Sequence, residues 1–178
     1  MRPRAALILA VPLTLLAGVV AVAAEWSLPA VTLSQEGMPA VTPTVVVDGA
    51  GVATALWEPD IGGGVEGPIR SSRLTNGEWG APANASARGS LVTAPSAAVN
   101  ASGIVTAAWA RLEGSERILQ AARFANGAWG PTADIATANT SGGAAYPQAA
   151  VDGSGMVTAV WMAWSRCRCR SPSASWCR

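Results

Sequence analysis

Pro95-Ser-Ala-Ala-Val-Asn-Ala-Ser-Gly-Ile-Val-Thr-Ala-Ala-Trp109 sets the architecture, because the chain writes this stretch three times. Pro43-Thr-Val-Val-Val-Asp-Gly-Ala-Gly-Val-Ala-Thr-Ala-Leu-Trp57 precedes it and Pro147-Gln-Ala-Ala-Val-Asp-Gly-Ser-Gly-Met-Val-Thr-Ala-Val-Trp161 follows, each displaced by 52 residues without a gap. The Pro, the Val before an acid or amide (Asp48, Asn100, Asp152), Gly51/Gly103/Gly155, Thr54/Thr106/Thr158 and the Trp recur in register. Self-similarity at a fixed period of tens of residues marks solenoids, propellers and arrays.

Within the stretch the local chemistry is that of strand, turn and strand. Ala97-Ala-Val99 leads into Asn100-Ala-Ser-Gly103, where an Asn or Asp side chain bonds its own backbone and Gly takes a positive φ. From Ile104 to Arg111, Val105, Ala107 and Trp109 fall on one face and Thr106 and Ala108 on the other, the two-residue period of a strand. A second half then follows, Arg73-Leu-Thr-Asn-Gly-Glu-Trp79-Gly-Ala-Pro82 and Arg123-Phe-Ala-Asn-Gly-Ala-Trp129-Gly-Pro131, with the Trp residues 50 apart. Ile118 to Phe124 reads as a third strand, joined to a fourth around Trp129 by Asn126-Gly127, the strongest short hairpin signal. Glu25-Trp26-Ser-Leu-Pro29 matches the end of this half, so the array is expected to open on a lone fourth strand. The prediction is an all-β fold of antiparallel four-stranded blades, with almost no helix after the first segment.

Four antiparallel strands in about 50 residues is the size of one propeller blade. The units, reading V-D-x-x-G-x-x-T-A-x-W and then N-G-x-W, resemble the sialidase-like and kelch-like β-propeller repeats of secreted bacterial proteins, above all an Ala-rich repeat family. The resemblance covers Glu25 to Trp161 and implies a propeller-like array more firmly than any activity, since propellers host many functions. The array is incomplete: the body amounts to about 2.7 units, against the four to eight blades that close a ring.

Working outward, residues 1–24 have the layout of a secretory signal peptide, with Arg2 and Arg4 before an uncharged apolar run that ends in Ala21-Val22-Ala23. The alternative is an uncleaved anchor formed by residues 5–24. Either way the remainder is expected to be secreted or extracytoplasmic. Residues 25–164 form the repeat body, with units near 38–90, 91–142 and a partial one at 143–164. Residues 165–178 break the pattern and hold all three cysteines (Cys167, Cys169, Cys177) and four of the 12 Arg. This tail is expected to be disordered or an out-of-frame reading of a repeat gene, which makes the chain a fragment of a longer array.

Composition excludes several function classes. The 178 residues carry a formal net charge of +1, 13% charged residues and no His. A nucleic-acid partner that needs a strong positive field is excluded, and the commonest general base and zinc ligand are missing. Cys167 and Cys169 give poor disulfide geometry and leave one thiol over, so neither metal nor cofactor is expected. Asp48, Asn100 and Asp152 offer one oxygen-bearing side chain per turn, far short of a calcium shell, and are expected to cap their turns. Trp57, Trp109 and Trp161 are expected to pack between blades, and Trp79 and Trp129, beside a turn, are somewhat better candidates for stacking on sugar. The charged loop around Ile61-Gly-Gly-Gly-Val65, with Glu58, Asp60 and Glu66, and its counterpart with Glu113 and Glu116 are the expected place for a ligand.

Three functions follow as expectations. The first is an exported, non-catalytic binding protein whose loops meet a glycan or an extracellular protein, with self-association as a further way to cover open sheet edges. The second, implied by the resemblance, is a sialidase-like glycoside hydrolase fragment. That activity needs an Arg cluster, a Tyr nucleophile and carboxylates, and the sole Tyr, Tyr146, stands just before a repeat Pro. The third is a truncated product with no function of its own. No catalytic residue is assigned.

Overall fold

The computed structural model describes residues 30–60, 67–87, 91–113, 116–136 and 144–163. The chain divides into two units, Met1–Val31 and Thr32–Arg178, and every strand described lies in the second. The first is represented only by Ala30 and the exposed Val31. The expected signal segment, the strand at Trp26 and the tail at 165–178 lie outside the described residues.

The second unit is all-β and antiparallel, and its three sheets follow the three repeats. The first sheet runs β1 (Ala40–Val47), β2 (Ala53–Pro59), β3 (Arg70–Thr75) and β4 (Glu78–Trp79), with β5 (Ala83–Asn84) also on β3. The second runs β6 (Leu91–Val99), β7 (Val105–Glu113), β8 (Glu116–Ala125) and β10 (Ala133–Ala136), with β9 (Ala128–Trp129) also on β8. The third pairs β11 (Ala144–Val151) with β12 (Val157–Ala163). The expected fourth strand is therefore in two short pieces, because Trp-Gly followed by Pro82 or Pro131 interrupts its ladder. Among the described residues no helix is long and apolar enough to cross a membrane.

The turns form as their residues dictate. Oδ1 of Asp48 accepts from the backbone N–H of Ala50 and Val52, each at 2.9 Å. Asn100 does the same for Ser102 and Ile104, and Asp152 for Ser154 and Met156. Gly51, Gly103 and Gly155 close these turns at φ 81°, 74° and 87°, a region costly for other L-residues. Asn76-Gly77 and Asn126-Gly127 have positive φ at both positions, the type I′ geometry that matches strand twist.

Each first strand also carries an irregularity. The register shifts between Val41 and Thr44, Thr93 and Ser96, and Ala145 and Gln148. At these bulges Thr42, Ala94 and Tyr146, each preceding the repeat Pro, sit at φ 48°, 54° and 51°. Left-handed backbone at non-glycine residues is strained by about 1–3 kcal/mol each. Its recurrence at the same repeat position shows that the surrounding ladder imposes it.

The sheets stack face to face, with the first strands β1, β6 and β11 side by side. The core between the first and second sheets joins Leu56, Ile69 and Ala85 to Val92, Ala107, Trp109 and Ala122. Trp109 is fully buried and Trp57 nearly so, as expected of packing residues. Trp161 departs from that expectation at 41% exposure. It occupies the same strand position, but among the described residues the third sheet has only two strands to cover it.

Candidate functional site

The residues expected to meet a ligand from the loops are largely engaged in holding the sheets. Glu58 lies within β2, where its Oε2 accepts from Thr42 Oγ1 at 3.1 Å and from the Ala94 N–H at 3.3 Å. One carboxylate thus ties the bulge of the first sheet to the bulge of the second. Asp60 donates its backbone N–H to the Pro39 carbonyl at 2.7 Å. Glu66 lies outside the described residues. At the counterpart, Glu113 and Glu116 pair across β7 and β8, and Glu113 Oε2 meets Arg111 Nη2 at 2.9 Å. A cleft of about 160 Å³ sets Glu58 beside Arg111 and Arg117, and of the charged loop candidates it holds Glu58 alone.

The acid and amide turn residues cap their turns, as expected of them. Asp152 also accepts from Ser154 Oγ at 2.6 Å. This hydroxyl, followed by the Met156 N–H, holds its carboxyl below the ordinary value, and the side chain is fully exposed. Among the described residues no group of three His, Cys, Asp or Glu side chains is placed to hold a metal. Tyr146 is 58% exposed at the β11 bulge.

The indole of Trp129 is half-buried and reaches across to the first sheet, where its Nε1 donates to Ser71 Oγ at 2.8 Å. The Phe124 ring meets it edge to face at 5.5 Å, and the Arg73 guanidinium covers Phe124 at 4.4 Å from the ring centre. Arg73, Phe124 and Trp129 therefore form one layered contact between the two sheets. A guanidinium on an aromatic face is worth about 0.5–2 kcal/mol depending on how dry it is. Farther along the same face of the second sheet, Trp109 Nε1 donates to Gln120 Oε1 at 3.3 Å, and Gln120 Nε2 donates to Asp134 at 2.7 Å. These tryptophans are used for packing and for hydrogen bonds, which leaves little of the ring face of Trp109 or Trp129 for a sugar.

A further cavity, lined by described residues, was not among the sequence candidates. It is a groove of about 620 Å³ between the second and third sheets, with Thr106, Ala108 and Arg123 on one wall and Val157, Ala159 and Trp161 on the other. Its lining is overwhelmingly apolar, and Arg123 is the one charged side chain that reaches it among the described residues. Pockets of several hundred Å³ with few convergent polar groups suit apolar partners. The sequence signal for this groove was present in the repeat alignment, in the alternation that points Val157, Ala159 and Trp161 the same way. No protein-family model matches the chain, and no curated protein matches it either.

Proposed function

We propose that the chain is an exported, non-catalytic binding module built of β-propeller-like blades, and that its partner is a protein. The blade reading is supported by the strand order, in which consecutive strands of each repeat pair as neighbours, and by first strands that lie side by side. Export rests on the segment Met1 to Ala24. The observation that carries the binding reading is the apolar groove between the second and third sheets, with Trp161 left 41% exposed in it. A glycan needs a dense set of polar partners, and this groove supplies chiefly Ala, Val, Ile, Pro and Trp surface. An apolar protein segment needs what it offers. Aromatic and Arg side chains in a desolvated pocket are the usual anchors of such contacts.

Two measurements on the full chain test this reading. An apolar fluorescent dye, anilinonaphthalene sulfonate, should brighten on the folded protein and lose most of that signal in an Ala159→Arg variant with unchanged circular dichroism. No brightening would mean that the groove is closed, and the reading would fail. A fluorogenic sialoside should show no turnover. Turnover that disappears in Tyr146→Phe would establish the hydrolase instead.

A further inference from the structure

The first and second sheets show what fills a groove of this kind. Between them, Leu56 and Ser71 of the first sheet face Ala107 and Trp109 of the second, and the gap is closed by the outer strands β8 and β9. Those strands bring Ala122 and Trp129 into the core, with the indole N–H on Ser71 and Phe124 beneath Arg73.

The second interface repeats both walls. Strand register places Thr106, Ala108, Ala121 and Arg123 where the first sheet has Thr54, Leu56, Ser71 and Arg73. All four of these second-sheet residues line the groove. The facing wall has Val157, Ala159 and Trp161 where the second sheet has Val105, Ala107 and Trp109. The outer wall carries the smaller Ala108 and Ala121 in place of Leu56 and Ser71, and the filling differs: among the described residues β12 pairs with β11 alone, whereas β2 and β7 each carry a third strand on their other edge. Two exposures record this difference. Trp109 is 0% exposed and its counterpart Trp161 is 41%. Arg73 is half-buried over the Phe124 ring, and its counterpart Arg123 is exposed.

We propose that this groove and the edge of β12 that carries no strand among the described residues form a docking site for a β-hairpin with the chemistry of the second unit's own outer half, Phe-x-Asn-Gly-x-Trp. The inference rests on the protein-partner reading above and names the partner's chemistry. Docking is by strand addition: backbone hydrogen bonds to β12 supply affinity and alternate side chains entering the groove supply specificity. The β7–β8 register sets the alignment, with Phe124 opposite Val105, Ala122 opposite Ala107 and Gln120 opposite Trp109. The incoming strand accordingly places its aromatic residue opposite Val157, a small residue opposite Ala159 and its ring face against Arg123. Its indole N–H meets Ala121 where Trp129 meets Ser71, so this docking lacks one hydrogen bond that the internal joint has.

The test uses the full chain and a synthetic peptide with the sequence of residues 116–131, labelled for fluorescence anisotropy. Saturable binding is expected, together with slowed amide exchange across Val157 to Trp161. Replacing both the Phe and the Trp of the peptide with Ala should weaken binding by about tenfold or more, the loss typical of removing anchor residues. Ala159→Arg in the protein should abolish it. Should that variant misfold, Ala121→Ser gives an independent answer, because the added hydroxyl restores the missing acceptor and should tighten binding severalfold. The proposal is overturned by no saturable binding, by equal binding of a scrambled peptide, or by an Ala121→Ser variant that binds no better. It is also overturned if sedimentation shows a dimer that Ala159→Arg dissociates, since a second copy then fills the groove. A groove that brightens the dye and rejects the peptide removes this inference alone and leaves the binding-module reading standing.

Discussion

Trp109 and Trp161 are the same residue in the same repeat position, and their environments separate them. Trp109 is fully buried against Leu56, Ile69 and Ala122, with its N–H on Gln120. Trp109→Ala should cost about 3–5 kcal/mol, the range for removing a large buried aromatic. Trp161→Ala removes a ring that is already half in water, and its cost should stay below about 1 kcal/mol. Urea denaturation of the two variants beside the parent protein checks the contrast, and equal losses would show that Trp161 is covered in solution. The residue-level signal in the sequence was identical at the two positions, so it announced two buried rings. Burial is a property of what stands opposite, and only the stacking of sheets reveals that.

At the scale of the element, the turns carry information beyond their own geometry. A Cβ built on Gly103 would stand 2.9 Å from Asp48 Oδ2, whereas one on Gly51 meets nothing within 4 Å. Asp48 cannot swing away freely, because its Oδ1 is held by the N–H groups of Ala50 and Val52. Gly51→Ala should therefore cost only the left-handed backbone penalty of about 1–2 kcal/mol. Gly103→Ala should cost measurably more, since it adds a clash between sheets. Thermal melts of both variants decide, and matching losses would mean that the two turns do not touch. These turns and the Asn-Gly hairpins were legible in the sequence because their determinants lie within four residues: an Asx acceptor, a Gly at positive φ and an alternating strand. The bulges before Pro43, Pro95 and Pro147 were not, because Thr42, Ala94 and Tyr146 share no side-chain feature that asks for positive φ. Glu58 was equally hidden. It reads as a loop charge, yet it bridges Thr42 and Ala94, residues brought together only by the docking of two sheets.

For the whole second unit, stability should grade across the three sheets. The second sheet has a neighbouring sheet on each side and contributes many of the fully buried side chains, including Trp109, Val92, Val105 and Leu119. The third has two strands among the described residues and presents Val160 and Met162 to solvent at 60% and 52% exposure. Local opening follows buried contact and unprotected backbone, so hydrogen exchange should be slowest in β7 and β8 and fastest in β11 and β12. Mass spectrometry of exchanged fragments measures this order, and protection of β12 equal to that of β7 would contradict it. The apolar groove became visible only at this scale. Its walls were written in the repeat alignment, and its openness depends on which strands are present to fill it.

The seating of one turn on the next has a consequence for how such a chain changes length. Asp48 lies against Gly103, and Asn100 lies against Gly155, so each joint repeats the one before it. Tandem duplication of the segment 91–142, copied in phase with the 52-residue period, would set Asn100 of one copy beside Gly103 of the next, the same Asx-on-Gly seating that both existing joints use. Stability in stacked repeats is close to a sum of unit and neighbour terms. Duplication in phase can thus lengthen the protein in whole steps that keep the turn seating, while each new joint gives up the hydrogen bond that Ser71 accepts from Trp129.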